Sequence, residues 1–227
     1  MLDLKGRLKL IANKTPACNT VCDIGTDHAY LPIFLIQNDV CHTAIAADVK
    51  KGPLMAANKN IAEARLESVI ETRLGNGLEP IGEKEVDVII AAGMGGILIK
   101  DILENGILQA RNAKALILQP MNAPEILREW LYKAGFEIYD EELINEGEKI
   151  YIVISARWTG EQAEIDRFHF YIGSKLIERK DPLLLPYITK RVKQLRKAVL
   201  EMGEAGERIE EARNKYLWLI DRMNGTI

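Results

Sequence analysis

The stretch Val21-Cys22-Asp23-Ile24-Gly25-Thr26-Asp27-His28-Ala29-Tyr30 gathers two carboxylates, an imidazole and a glycine at one junction. An apolar, strand-like run ends in Asp23-x-Gly25, and a helix-like run begins at Tyr30. In α/β folds such a junction presents backbone N–H groups to a nucleotide-like ligand at the carboxyl end of the first strand. The stretch departs from the dinucleotide fingerprint, because Asp27 stands where a second glycine would let a pyrophosphate approach. A carboxylate near the ligand suits a cationic centre. If the ligand is S-adenosylmethionine, Asp27 lies near the sulfonium and the transferred methyl. His28 is the rival for that role, although a lone histidine after a glycine turn more often caps or packs.

Four further segments follow apolar runs and fall at the same edge of a parallel sheet. Asp48 ends the second run, about twenty residues beyond the glycine turn, where a carboxylate accepts hydrogen bonds from ribose hydroxyls. It also suits the start of the helix that follows; with Asp23-x-Gly25 upstream, the ribose role is favoured. Gly75-Asn76-Gly77 offers an amide to an adenine edge, or is an ordinary turn. Gly93-Met94-Gly95-Gly96 permits close backbone approach, with a methionine to pack on a base or cofactor. Gln119-Pro120-Met121-Asn122 supplies amides that read a planar substrate, or starts a helix. Together these loops describe a site at the topological switch point.

The elements that must position them alternate. Helices are expected over 2–12, 30–38, 53–66, 97–105 and 123–133, and strands over 20–24, 43–49, 69–74, 86–92 and 115–119. The continuous apolar run 86–92 reads as a strand buried on both faces. Runs 136–143 and 150–156 leave no room for a helix between them, so they form an antiparallel hairpin. Five alternating units closed by an edge hairpin make the methyltransferase version of a Rossmann-like sheet and point away from NAD.

Beyond Thr159 strand signals vanish. Phe168, Ile172 and Leu176 keep helical spacing; Ile188, Val192, Leu195, Val199 and Met202 are near-heptad, and Ile209, Ala212, Tyr216, Leu219, Ile220 and Met223 resume after Gly203 and Gly206. The reading is a catalytic domain over 1–159 and an α-helical coiled-coil domain over 160–227, packed within one chain as a monomer. From Glu161 onward there are thirteen basic and eleven acidic residues, a net of +2 against −5 for the first 160. Lys190, Arg191, Lys193, Arg196 and Lys197 cluster there, as a phosphate-holding face or simply a solvated one.

The 227-residue chain carries a net charge of −3, which excludes a strongly basic nucleic-acid binder but not a local basic face. No apolar run reaches membrane-spanning length, and Met1-Leu2-Asp3-Leu4-Lys5 is acidic-basic rather than basic-then-apolar, so no secretory signal and a cytoplasmic protein are expected. Cys18, Cys22 and Cys41 with His28 and His42 match no zinc spacing; buried, inert thiols in a reducing compartment, and no metal, are expected.

These residues together resemble the bacterial tRNA (adenine-22-N1)-methyltransferase family, from about residue 2 to 156 and in kind along the tail. The resemblance rests on Asp23-Ile24-Gly25-Thr26-Asp27-His28-Ala29-Tyr30-Leu31-Pro32, Gly93-Met94-Gly95-Gly96, Leu118-Gln119-Pro120, Arg128-Glu129-Trp130-Leu131 and Arg7-Leu8. It implies S-adenosyl-L-methionine held by Asp23, Gly25, Thr26, Asp27, His28, Ala29, Asp48, Val49, Asn76, Gly77, Gly93 and Met94. It implies tRNA contacted by Arg7, Tyr30, Gln119, Met121, Asn122 and the basic tail residues, with Asp27 beside the methyl-transfer site. Two positions depart from the family pattern: Asn76 replaces an acid, and Met121 stands where an asparagine follows Gln-Pro. A methyltransferase for another RNA or a small molecule, and a non-catalytic S-adenosylmethionine-binding module, are the competing readings.

Overall fold

A computed structural model describes residues 2–162, 164–201 and 207–226, with side chains left aside for 207–213, 215 and 226. Helix α1 (Gly6–Lys14) leads into alternating β1 (Cys18–Ile24), α2 (Tyr30–Gln37), β2 (Cys41–Asp48), α3 (Lys51–Glu63) and β3 (Ile70–Leu74). Then come β4 (Val88–Met94), α4 (Gly96–Asn105), α5 (Ile107–Asn112), β5 (Ala115–Pro120), α6 (Pro124–Lys133), β6 (Phe136–Glu146) and β7 (Lys149–Trp158). The C-terminal part is α7 (Arg167–Ile172), α8 (Ser174–Glu178), α9 (Leu184–Glu201) and α10 (Glu207–Thr226).

The strands make one seven-stranded sheet in the order β3-β2-β1-β4-β5-β7-β6. β1 to β5 run parallel, and β7 is antiparallel to both β5 and β6. Strand alternation sends side chains to two apolar layers. Val21, Ala44, Val88, Ile90 and Ile117 face the layer shared with α1, α2 and α3. Cys22, Ile45, Ile89, Ala91, Leu116 and Leu118 face the layer shared with α4, α5, α6 and the C-terminal helices. Val88 to Ala91 are fully buried, as a central parallel strand covered on both faces requires.

Three local differences from the sequence reading have physical causes. The hairpin is longer than its apolar cores: Asn145 pairs with Ile150 and Glu146 with Lys149, leaving Gly147-Glu148 as the turn. Gly147 takes φ +62°, a conformation glycine adopts without penalty. The single helix expected through Phe168, Ile172 and Leu176 is two, broken at Gly173 with φ +97°. A Cβ there would press on the Glu141 carboxylate and the Arg128 guanidinium. Helix α5 was not foreseen.

The body–tail junction is sealed by an ion pair. Arg128 donates from Nε to Glu141 Oε1 at 2.6 Å and from Nη1 to the Phe170 carbonyl at 2.7 Å, and both side chains are fully buried. Burial pushes the Glu141 carboxyl above its ordinary range, with Arg128 opposing the shift. Asp181 Oδ2 accepts the Leu143 N–H at 3.1 Å. Helix α9 is tied to α6 by Arg191 and Glu125, and the end of α10 to the start of α7 by Arg222 and Asp166. The two helices pack on each other, and the apolar layer runs unbroken from Leu127 and Phe136 to Leu195, Leu219 and Met223. The turn expected around Gly203 and Gly206, Met202, and the side chains of Ile209 and Ala212 lie outside the described residues.

Candidate active site

Parallel strands deliver the loops after β1, β2, β4 and β5 to one edge of the sheet. Because β7 runs antiparallel to β5, with Leu118 opposite Ile154, its beginning reaches the same edge. The hairpin turn therefore joins the site, a contribution the sequence reading did not include. The signal was available: an antiparallel last strand must start where the parallel strands end.

A cavity of about 300 Å³ opens beside β1 and is lined by Arg7, Leu8, Asp23, the run 25–31, Ala92 and Gly93. Gly25 has φ +76° and donates to the Ala47 carbonyl at 2.8 Å, as Thr26 does at 3.0 Å. A Cβ on Gly25 would collide with Met94 Cε, which sits over the turn. Gly93, at φ +75°, has open space where a Cβ would be. Ala29 begins α2 with φ 54°, and Ala123 begins α6 with φ 47°. Both are non-glycine residues in the left-handed region, held at the site by their surroundings.

Asp23 is buried, with no ion-pair partner among the described residues. Desolvation foremost, and the nearby Asp48 carboxylate, push its pKa up to about 7, while the Thr26 hydroxyl acts in the opposite sense. Asp27 is exposed and stands 3.3 Å from His28 Nε2. The Tyr30 ring stacks on His28 at 5.1 Å. Asn60, which the sequence reading overlooked, donates from α3 to the His28 carbonyl at 2.9 Å and braces the loop.

Other expected residues lie around this cavity rather than in it. Asp48 Oδ1 accepts the Lys50 N–H at 2.7 Å, the helix-start role left open by the sequence; Oδ2 has no donor among the described residues. Val49 is exposed beside it. Asn76 and Gly77 line a separate cavity of about 200 Å³ against α4. Gln119 is fully buried, accepts the Gly93 N–H at 3.1 Å and donates to the Pro120 carbonyl, so it braces the β4 loop from within. Met121 and Asn122 line a third cavity with Lys190 and Arg191 from α9. Lys193, Arg196 and Lys197 are exposed further along α9. Arg7 binds both carboxylate oxygens of Glu146 at 3.0 Å and lies over the Tyr151 ring at 5.2 Å.

A Rossmann-like sheet closed by an antiparallel hairpin, with an Asp-x-Gly loop and a second carboxylate at its carboxyl edge, defines an S-adenosylmethionine-dependent methyltransferase. A methyltransferase-domain family matches residues 4–154. A tRNA (adenine(22)-N(1))-methyltransferase of Bacillus subtilis (strain 168) is 34% identical over 98% of this chain and 94% of that protein. The chain belongs to that family. The crystal structure of the B. subtilis m1A22 tRNA methyltransferase TrmK superposes with a TM-score of 0.90 at 30% identity, covering 100% of both chains. A Streptococcus pneumoniae candidate tRNA (m1A22) methyltransferase in complex with S-adenosyl-L-methionine gives 0.85 at 33% identity, covering 97% of both.

The residues present fit that cofactor. Gly93 leaves an open cradle, and Asp23 is a buried carboxyl whose ionised form lacks a cation among the described residues. S-adenosylmethionine is cationic at both its sulfonium and its amino group.

Proposed function

We propose that this protein methylates N1 of an adenine in tRNA, at position 22 in the D-arm region, using S-adenosyl-L-methionine. The observation that carries the reading is the cavity at the Asp23-x-Gly25 loop, with two carboxylates facing a site for a cation, in a member of this family.

The cofactor supplies an electrophilic methyl on a positively charged sulfur. Neutral adenine carries a lone pair on N1, so no proton has to leave first. The N1–CH3 bond forms as the S–CH3 bond breaks, and positive charge moves onto the base. Asp27 stabilises that developing charge, or accepts a hydrogen bond from N6; a fixed carboxylate is most effective where charge appears. Tyr30, stacked on His28, offers a ring face for the acceptor base. Gly25, Thr26, His28, Ala29, Gly93 and Met94 enclose the methionine part, Asp48 holds the ribose through its free oxygen, and Val49, Asn76 and Gly77 meet the adenine. Gln119 sets the β4 loop, and Arg7, Met121 and Asn122 meet RNA beyond it.

N1 lies on the Watson–Crick edge, so the adenine must leave its stack before transfer. The domain over 1–159 performs the chemistry. α9 and α10 form a coiled-coil hairpin that grips phosphates through Lys190, Arg191, Lys193, Arg196 and Lys197. The protein acts as a monomer in the cytoplasm, without a metal. Among the described residues no helix is long and apolar enough to cross a membrane.

Mapping methylated positions in bulk tRNA before and after loss of this protein tests the reading. Loss of 1-methyladenosine at position 22 alone is expected. An unchanged tRNA pattern would overturn it.

A further inference from the structure

The third cavity, about 410 Å³, lies between the β5 loop, the hairpin and α9. Lys149, Lys190 and Arg191 line it, and no carboxylate does among the described residues. Neither lysine ammonium has a carboxylate partner among the described residues, whereas other cations on the hairpin side do: Arg7 pairs with Glu146, Lys14 with Asp140, Arg179 with Glu142. Arg191 is held by Glu125 at 2.7 Å, yet its Nε is buried without a hydrogen-bond partner among the described residues. The walls add the amides of Asn122 and Gln194 and the rings of Tyr151 and Tyr187.

This is the chemistry of one nucleotide: cations for a phosphate, amides for a base edge, an aromatic face for stacking. The cavity also adjoins the methyl-transfer site. Arg7 lines the first cavity while lying over Tyr151, which lines the third. The Met94 carbonyl accepts the Met121 N–H at 2.7 Å, tying the loops of both together.

Resting on the tRNA-methylation reading, we infer that this cavity holds a nucleotide flanking the target adenine, with its phosphate between Lys149 of the hairpin and Lys190 of α9. The hairpin turn is then a substrate-reading element, and Tyr151 with Arg7 is the partition between the flipped base and its neighbour. Holding the neighbour fixes where the strand bends, which brings N1 into line.

The test uses the full chain with Lys149→Ala, Lys190→Ala and the double variant. Methyl transfer to tRNA is measured with S-adenosylmethionine affinity, alongside ethylation interference on the tRNA phosphates. The double variant is expected to raise the tRNA KM about tenfold, as for loss of a charge-assisted contact, with S-adenosylmethionine affinity within twofold. Wild type is expected to show interference at a phosphate next to the target adenine, and the double variant to lose it. Unchanged KM with an unchanged interference pattern overturns the inference while leaving the methylation reading intact. Falling S-adenosylmethionine affinity in parallel with tRNA also overturns it, because the cavity would then serve the cofactor or the fold. Failure of wild type to methylate tRNA overturns the reading on which it rests.

Discussion

Two cavities lie at the carboxyl edge of the sheet, and the side chains lining them differ in charge. The one beside β1 is lined by Asp23 and Asp27, with Arg7 already bound to Glu146. The one beneath α9 is lined by Lys149, Lys190 and Arg191. Under the proposed function, a cationic methyl donor and a polyanionic RNA are sorted by electrostatics before any base is read. In the proposed function, a chain with a net charge of −3 binds RNA through cations concentrated on one face rather than through bulk charge.

The comparison breaks most visibly at Asp27. Asp27→Ala is expected to lower kcat by about 10² to 10³, the scale of losing one preorganised charge-stabilising group, with S-adenosylmethionine affinity little changed. Single-turnover methyl transfer and equilibrium binding, measured separately, check this. Unchanged turnover would remove Asp27 from the mechanism, and loss through cofactor binding alone would move it to the cofactor.

The next effect lies outside both cavities. Arg128→Met leaves Glu141 buried without its cation and is expected to cost about 3–5 kcal/mol in urea unfolding. In the folded fraction, tRNA affinity is expected to suffer before cofactor affinity, because α7 and α9 are the elements released. Removing the whole C-terminal part would be less informative, since it shares an apolar layer with the sheet.

Asp23 sharpens the acidic side. Its folded pKa of about 7 lies above its unfolded value of about 3.9, so the folded chain favours the protonated form. The stability this group contributes is fully present below the unfolded pKa and is lost as pH rises through about 7. A cationic ligand prefers the ionised form, so S-adenosylmethionine affinity is expected to rise with pH up to and just past that value. Calorimetry across the range checks it, and Asp23→Asn is expected to flatten the profile. The smallest effect is on the exposed face of α9. Lys193→Ala is expected to weaken tRNA binding slightly and to reduce the salt slope by about one, whatever the sequence of the tRNA.

Much of the acidic cavity was legible because its parts are neighbours in sequence. Asp23, Gly25, Asp27 and His28 fall within one strand–turn–helix junction, and the burial of Val88 to Ala91 follows from an unbroken apolar run. The basic cavity was half legible: charge clustering marked Lys190 and Arg191, but Lys149, the first residue of β7, falls in a stretch that reads as a polar spacer. Its role appears only once β7 is known to begin at the site edge. Asn60 and the Arg128–Glu141 pair were hidden because their partners are distant in the chain, and a lone asparagine or arginine in a helix is ordinarily surface. The left-handed backbone at Ala29 and Ala123 has no signature in residue type, since glycine or asparagine is the usual choice.

The division of charge is tested most directly by titrating salt against both ligands of the full chain. Between about 50 and about 200 mM, tRNA affinity is expected to fall more than tenfold while S-adenosylmethionine affinity stays within about twofold. Equal responses of the two ligands, or tRNA binding indifferent to salt, would contradict the account.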